Sequence, residues 1–167
     1  MTLPVDKVDI IISEWMGYFL LYESMFDSVL YARDKWLAAD GMLFPNRSII
    51  YMAGIEDEQY KSQKIGFWDD VYGVDMSSIK KWALFEPLVD IVDPELINTE
   101  SCPIFDVDLK TIKKEELDFS SEYELHVKRD DKMHAIVAWF DVYFSHSLMP
   151  VKLSTSKEIM YLKYSYY

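Results

Sequence analysis

The sequence has few cysteines and glycines and no long apolar run, and each of these shortages argues against a class of protein. Its single cysteine, Cys102, cannot form an internal disulfide, which favours a reducing compartment. No apolar run approaches the length that crosses a bilayer, and the amino terminus has no signal-peptide pattern. The five glycines nowhere form the pattern G-x-G, and no phosphate-binding loop is present.

Basic residues are also scarce, with 17 Lys and Arg against 29 Asp and Glu and a net charge of −12. This balance argues against direct binding to nucleic acid, since such affinity depends on cationic contacts to phosphates. It suits a basic partner, although an acidic surface more often serves solubility. Half of the 167 residues are hydrophobic, so the chain can bury a sizeable core as one domain or pieces of two.

Metal ligands do not occur at a usable spacing. His126, His134 and His146 are spread along the chain, and we predict surface or packed histidines and no metal site. Cys102 lies next to Pro103 without a recognisable base partner, so we do not predict a nucleophile.

The most informative stretch that is present runs from Ser13 to Met25, after the apolar strand-like run Val8–Ile12. Glu14 and Glu23 bracket a nearly all-apolar segment, and buried carboxylates need a cation or several donors. On one straight helix they would point to opposite sides, about 13.5 Å apart. A hairpin-like loop bent at Gly17 would bring them face to face. From spacing alone, a structural pair held by backbone N–H groups is as good an interpretation as a functional pair.

Periodicity and turn residues predict the remaining elements. We expect a helix from Ser24 to about Leu37, ended by a left-handed glycine cap at Asp40-Gly41, and a short exposed helix from Glu56 to about Ile65. The predicted strands are Lys7–Ser13, Arg47–Ala53, Ala83–Val92, Ser101–Asp108, Glu122–Arg129 and His134–Phe144.

Several motifs together resemble the protein arginine methyltransferases, whose "double-E" loop carries two glutamates. The matching stretches are Ser13-Glu14-Trp15-Met16-Gly17-Tyr18, Tyr22-Glu23-Ser24-Met25, Asp27–Arg33, Leu43-Phe44-Pro45, Asp69–Gly73, Glu86–Asp90 and Asp93-Pro94. The resemblance covers roughly residues 3–156 and is greatest to the type I enzymes, which form asymmetric dimethylarginine.

The resemblance implies an α+β fold. Residues 1–44 would be the carboxy-terminal end of a Rossmann-like, S-adenosylmethionine-dependent methyltransferase domain. Residues 45–156 would form an antiparallel β-barrel that binds substrate, with Pro45-Asn46 as the boundary. A helical dimerisation arm, about 56–76, would interrupt the barrel and dock on the partner's cofactor domain in a head-to-tail homodimer.

The resemblance also implies roles for the residues of the loop. The catalytic pair would be Glu14 and Glu23, with Tyr18, Tyr22 and Met16 binding substrate and Met25 lying beside the cofactor, S-adenosylmethionine. The alternatives are that the two tyrosines are core aromatics beside a strand end and that the methionines fill gaps in the core.

For the arm, the resemblance implies that Phe67, Trp68 and Tyr72 contact the partner subunit. The alternative is that these aromatics pack into their own barrel.

Two departures from the family shape the expected function. The glycine-rich cofactor loop is missing, and Lys157–Tyr167 is a divergent tail in place of the Thr-His-Trp loop. We therefore expect a fragment or an altered gene model of a type I arginine methyltransferase, inactive by itself. The implied substrates are arginine- and glycine-rich proteins, histones and RNA-binding proteins, in nucleus and cytoplasm, without direct nucleic-acid or membrane binding.

Two other interpretations belong to different classes of protein. One is a non-catalytic module that associates with full-length methyltransferase subunits through the arm. The other is an isolated acidic barrel without a partner.

Overall fold

The computed structural model describes residues 3–156 and the backbone of residues 160–162. The chain begins with strand β1, Val8–Ile12, followed by the loop 13–25, helix α1, Phe26–Trp36, and strand β2, Leu37–Phe44. Strands β1 and β2 pair in parallel. A parallel pair connected through a helix is the crossover unit of α/β domains, which agrees with the expected end of a Rossmann-like domain.

Helix α1 forms where the apolar spacing predicts it and buries Phe26, Val29 and Leu30. The predicted glycine cap is wrong, because α1 ends at Trp36 and Leu37 is already extended, with φ −69° and ψ 135°. Gly41 instead lies within β2, in the part of that strand where its pairing with β1 changes register, between the pairs Val8–Leu37 and Ile10–Met42. Leu37 is only 7% exposed, and its burial against the core outweighs the local preference of Asp40-Gly41 for a helix cap.

Strand β1 forms as predicted but is not buried. Ile12 is 76% exposed and Ile10 is 48% exposed. The physical reason is that β1 has β2 as its one neighbour in the two-stranded sheet of the described chain, so nothing there covers its remaining apolar side chains.

The rest of the chain is mainly an antiparallel sheet with short helices. Its elements are β3, Arg47–Ile55; α2, Glu58–Lys64; α3, Lys80–Ala83; β4, Leu88–Val89; β5, Cys102–Asp108; β6, Ala135–Phe144; β7, Val151–Ser154; and β8, Met160–Leu162. Four 3₁₀ turns cover Gly66–Asp69, Ser77–Ile79, Pro94–Leu96 and Lys114–Leu117. The sheet order is β4-β8-β6-β3-β5, and β7 also pairs with β6. The α+β class is confirmed, and within the described residues the sheet is open.

Two predicted strands are wrong. Ala83–Val92 contributes the two-residue strand β4, because α3 occupies its start and Pro87 offers no backbone donor. The segment Glu122–Arg129 does not form a regular strand. Two backbone hydrogen bonds connect it to Asn98–Glu100: the N–H of Lys128 donates to the carbonyl of Asn98, and the N–H of Glu100 donates to the carbonyl of His126. All of its residues are exposed except Leu125, which is half-buried, so the alternating pattern does not correspond to a buried and an exposed face.

The described chain divides into two compact units. Of the described residues, the first contains 3–50, 103–122 and 140–156, and its core includes Trp15, Leu20, Phe26 and Leu30. The second contains residues 51–102 and 123–139 and the backbone of residues 160–162, with a smaller core around Ala53, Ile55, Val92 and Val137.

The predicted boundary at residue 45 stays a prediction. The predicted tail, 157–167, lies outside the described residues except for the backbone of β8. No helix in the described part of the chain is long and apolar enough to cross a membrane.

Candidate functional site

The loop between β1 and α1 turns back on itself at Gly17. Its N–H donates to the carbonyl of Leu20 at 3.0 Å, and the N–H of Tyr22 donates to the carbonyl of Tyr18 at 3.1 Å. A Cβ placed on Gly17 would lie 2.0 Å from the carbonyl oxygen of Tyr22, so only glycine fits this crossing. The bend predicted at Gly17 is therefore confirmed.

The same loop holds four non-glycine residues in the left-handed region of the backbone. Phe19, Leu20, Glu23 and Ser24 have φ values of 51°, 66°, 80° and 60°. Such conformations cost free energy and persist only where surrounding structure fixes them. Buried Leu20 supplies part of this anchoring. Strain of this kind concentrates at functional sites, which marks the loop as a candidate.

The loop is also anchored beneath, where buried Trp15 stacks on Phe26 with ring centroids 4.1 Å apart. The N–H of Ser13 donates to the carbonyl of Phe44 at 3.0 Å, which holds the start of the loop beside the end of β2. The residues that bracket Glu14 are thus fixed by the core of the first unit.

Both glutamates of the loop are exposed, so the expectation that they are buried is wrong. Neither carboxylate makes a hydrogen bond or an ion pair with another described residue. The structural interpretation, a pair satisfied by backbone N–H groups, therefore loses its support. The fold of the loop brings Glu23 Cγ within 3.4 Å of the Gly17 Cβ position, close to the segment that carries Glu14.

The two tyrosines of the loop lie side by side at the surface. Tyr18 and Tyr22 are 57% and 69% exposed, and their rings stack with centroids 6.4 Å apart. They are not core aromatics, so that alternative is wrong. Of the two methionines, Met16 packs against the core of the first unit, whereas Met25 is 48% exposed. The assigned roles of these four residues stay predictions.

The described residues supply little of a binding site for S-adenosylmethionine. Within residues 3–156, Met25 is the one side chain that the resemblance assigns to the cofactor, and its exposure leaves it open to a ligand. A site for a ligand of that size buries most of the ligand's surface. The sequence has no G-x-G turn that could cover such a ligand. The residues present therefore do not form a cofactor site by themselves.

A second feature is the arm-like segment that follows α2. Phe67 and Trp68 lie in the 3₁₀ turn Gly66–Asp69 with ring centroids 5.3 Å apart. Val71 and Val74 then close a two-residue turn in which Tyr72 and Gly73 have φ values of 54° and 88°. Positive φ at both central positions is the type I′ geometry that suits a tight hairpin.

That turn presents Tyr72 almost completely to solvent, with 96% of the residue exposed. Packing of Tyr72 into its own barrel is therefore wrong. Phe67 is 44% exposed, and none of the three arm aromatics belongs to the two described core clusters. Trp82 and Phe85 are 68% and 72% exposed, and neither was identified as a surface residue from the sequence.

A third cluster, which the sequence could not indicate, lies at the start of α2. One carboxylate oxygen each from Glu56 and Glu58 and one ring nitrogen of His134 lie within 4.8 Å of one another, close enough to be possible metal ligands. The backbone N–H of Asp57 donates to His134 Nδ1 at 3.1 Å, and that of Glu58 donates to Glu56 Oε1 at 3.3 Å. Both groups thus already accept hydrogen bonds at the beginning of the helix.

Comparison with known proteins decides the family. Residues 46–162 match a family described as the arginine methyltransferase oligomerization subdomain. The chain belongs to the protein arginine methyltransferase family. It is 63% identical over 153 residues to protein arginine N-methyltransferase 1 of Schizosaccharomyces pombe, covering 92% of this chain and 45% of that protein. The corresponding Dictyostelium discoideum protein is 54% identical over 159 residues, covering 95% and 47%. The chain thus spans about half the length of the curated relatives it matches.

Solved structures agree with this membership. The Trypanosoma brucei PRMT1 enzyme-prozyme heterotetrameric complex with AdoHcy superposes with a TM-score of 0.91 at 39% identity, covering 96% of this chain and 53% of that chain. Arabidopsis thaliana protein arginine methyltransferase 10 gives a TM-score of 0.83 at 27% identity, covering 99% and 58%. Both relatives extend well beyond the segment that this chain matches.

Proposed function

We propose that this chain contributes the arginine-binding loop of a type I protein arginine N-methyltransferase. The observation that carries the proposal is the strained loop 13–25, which presents two unpaired, exposed glutamates beside two stacked tyrosines. The substrates are arginine- and glycine-rich proteins, including histones and RNA-binding proteins, in the nucleus and cytoplasm. The high identity to arginine methyltransferases over 153 residues supports this assignment.

The chemistry needs what these residue types offer. A guanidinium is planar, charged at neutral pH and delocalised, so its nitrogens are poor nucleophiles. Carboxylates of Glu14 and Glu23 accept charge-assisted hydrogen bonds from it and fix the orientation of one terminal nitrogen. They also draw positive charge away from that nitrogen, which restores its lone pair. In this proposal Glu23 is the eventual proton acceptor.

The other loop side chains assist binding in this proposal. The ring faces of Tyr18 and Tyr22 attract a cation, while Met16 shapes the floor of the loop. S-adenosylmethionine, bound mainly by parts of the enzyme outside this chain, would supply an electrophilic methyl group, and Met25 would lie beside it. The chain's own part is to hold and orient the arginine.

A chimera tests the proposal. Residues 3–156 would replace the matching segment of the S. pombe relative, and methyl transfer to an arginine-rich protein would be measured. We expect activity, and a fall by about two orders of magnitude for Glu14→Gln or Glu23→Gln. Glu115→Gln, which removes one exposed charge elsewhere, serves as the control and should change little. Full activity in both loop variants would contradict the proposal.

For the isolated chain we propose no catalysis, because its sequence lacks the glycine-rich cofactor turn. Isothermal titration with S-adenosylhomocysteine should give no binding heat from a sample whose folding is verified by circular dichroism. Heat consistent with micromolar affinity would overturn this part of the proposal.

A second candidate function is favoured by the arm. Tyr72, held at positive φ and 96% exposed, has the form of an anchor for another protein. We propose that the arm docks on the cofactor domain of a second subunit, as in a head-to-tail homodimer. The isolated chain then acts as a non-catalytic module that associates with full-length subunits. The family match to an oligomerization subdomain supports this idea.

A further inference from the structure

One arginine of α1 connects this helix to the turn that follows β5. Arg33 Nη1 donates to the carbonyl of Leu109 at 2.8 Å and to that of Ile112 at 2.7 Å. Its Nε donates to Asp34 Oδ1 at 2.8 Å. The Arg33 side chain is only 10% exposed. A guanidinium is costly to bury unless its donors find acceptors, and these three hydrogen bonds supply them.

The turn that accepts two of these bonds, residues 108–112, is itself fixed. The N–H groups of Thr111 and Ile112 donate to the carbonyl of Asp108 at 3.2 and 3.0 Å. Leu109 is 1% exposed and belongs to the core of the first unit. The turn therefore presents its carbonyls to Arg33 from a fixed position at the edge of that core.

The same turn also contacts β2. Lys110 Nζ donates to the carbonyl of Gly41 in β2 at 3.0 Å. The N–H of Leu109 donates to the carbonyl of Asn46, just beyond the end of that strand, at 2.9 Å. Turn 108–112 thus makes hydrogen bonds to both α1 and the β2 region, and it fixes the position of the helix relative to the strand.

The start of the loop 13–25 depends on β2. The N–H of Ser13 donates to the carbonyl of Phe44, the last residue of β2, at 3.0 Å. Glu14 follows directly, and the next residue, Trp15, is buried in the core. The backbone position of Glu14 is therefore set by the position of β2.

The end of the loop depends on α1. The N–H of Asp27 donates to the carbonyl of Ser24 at 3.2 Å, and the N–H of Ser28 donates to that of Met25 at 3.0 Å. The first turn of α1 thus holds the two residues directly after Glu23. A shift of α1 relative to β2 would change the separation of the two glutamates, and a planar guanidinium held by two carboxylates tolerates little such change.

We propose that Arg33 is a positioning residue for methyl transfer. Through turn 108–112 it fixes α1 relative to β2 and so sets the separation of Glu14 and Glu23, without itself contacting the substrate. This inference rests on the proposed function of the loop. The expected effect is on kcat, because a misplaced acceptor orients the attacking nitrogen poorly even where the arginine still binds. An arginine that only stabilised the fold would leave the rate per folded molecule unchanged.

Steady-state kinetics of the chimera with the S. pombe relative test the proposal, with a glycine-rich peptide that contains one arginine as substrate. We expect Arg33→Ala to lower kcat per folded molecule about tenfold and to change the KM for the peptide less than about threefold. Arg33→Lys should recover part of the loss, since an ammonium keeps the charge but not the planar fork of donors.

Arg129→Ala is the matched control in the second unit, where Arg129 Nη1 donates to the carbonyl of Glu95 at 2.8 Å and Nε donates to Asp131 at 3.0 Å. An unchanged kcat in Arg33→Ala, or an equal fall in Arg129→Ala, would overturn the positioning role and leave the function of the loop standing. Full activity of both Glu14→Gln and Glu23→Gln would instead contradict the proposed function, and this inference with it.

A second measurement needs no catalysis and remains decisive if the alanine variant does not fold. Nuclear magnetic resonance of the full chain compares the parent sequence with Arg33→Lys. We expect amide shifts that extend from turn 108–112 through α1 to residues 23–28, whereas Arg129→Lys should leave those amides unchanged. Shifts confined to the neighbours of Arg33 would show that its contact does not reach the loop, and would overturn the proposal.

Discussion

Gly17 is the residue at which the loop 13–25 has no room for a side chain. An added Cβ would lie 2.0 Å from a backbone oxygen that cannot move without moving the loop. We predict that Gly17→Ala lowers the free energy of unfolding by about 1–3 kcal/mol, as overpacking does. Urea denaturation measures this. Gly66→Ala is the control, since its nearest contact is a side-chain oxygen at 3.4 Å. Equal effects of the two substitutions would show that the crossing at Gly17 is not tight.

Asp106 gives a prediction about pH. Its hydrogen bond from Arg47, with Nε donating to Oδ1 at 2.8 Å, lowers the pKa of that carboxyl below its usual value. A group whose pKa is lower when folded stabilises the protein above its unfolded pKa, and this stability is lost as pH falls through the folded pKa. Both side chains are 48% exposed, so the contribution is about 0–1 kcal/mol.

We therefore predict that Asp106→Asn lowers the thermal midpoint slightly at pH 7 and has no effect near pH 2. Asp130→Asn is the matched control, because Asp130 is exposed and forms no ion pair within the described chain. Differential scanning calorimetry across this range measures both. A difference that persists unchanged at the acid end would contradict the proposed cause.

At the scale of elements, the turn that carries Tyr72 holds this side chain out into solvent. The type I′ geometry holds Tyr72 at φ 54°, and Asp70 Oδ1 accepts from the N–H of Gly73 at 2.6 Å. A tyrosine in this backbone region is strained, and nothing within its own unit buries it. This presentation agrees with the proposal that the turn contacts another subunit.

This gives a prediction for the arm. The tagged chain should co-purify with the full-length S. pombe relative, and Tyr72→Ala together with Trp68→Ala should reduce the amount recovered at least about tenfold. Tyr31→Ala, an exposed aromatic of α1, is the control and should leave recovery unchanged. Recovery that ignores the arm substitutions would exclude the arm as the contact.

Elements with strong periodicity and apolar content could be predicted from the sequence. The apolar face of α1 and the strands β5 and β6 lie where the pattern placed them. The end of α1 was predicted to within about one residue, but the way it ends was not, because the burial of Leu37 in the core outweighs the local glycine signal at Gly41. The segment 122–129 alternates like a strand, but strand formation depends on a continuous partner that the sequence does not reveal.

The candidate sites also differ in how far the sequence could predict them. The loop 13–25 was identified because its two glutamates and the glycine are close in sequence and resemble a family motif. The exposure of the two glutamates was not predicted, since apolar neighbours suggest burial, whereas the fold buries Trp15 and Leu20 and leaves the glutamates at the surface. His134 and Asp57 are 77 residues apart, so only the fold brings them together.

At the scale of the whole molecule, the acidic charge agrees with a basic substrate. The net charge of −12 raises the local concentration of arginine-rich segments near the chain without deciding where they bind. Specific binding needs two acceptors at the right separation for a planar cation. We propose that Glu14 and Glu23 in the loop supply these two acceptors.

The most direct test is a titration of the isotopically labelled chain with a glycine-rich peptide that contains one arginine, followed by nuclear magnetic resonance. We predict amide shifts concentrated in residues 13–25, weaker shifts with lysine in place of arginine, and loss of the shifts when Glu14→Gln and Glu23→Gln are combined. Glu115→Gln should leave them intact. Shifts centred elsewhere, or shifts that survive the double substitution, would contradict the assignment of this loop as the arginine-binding site.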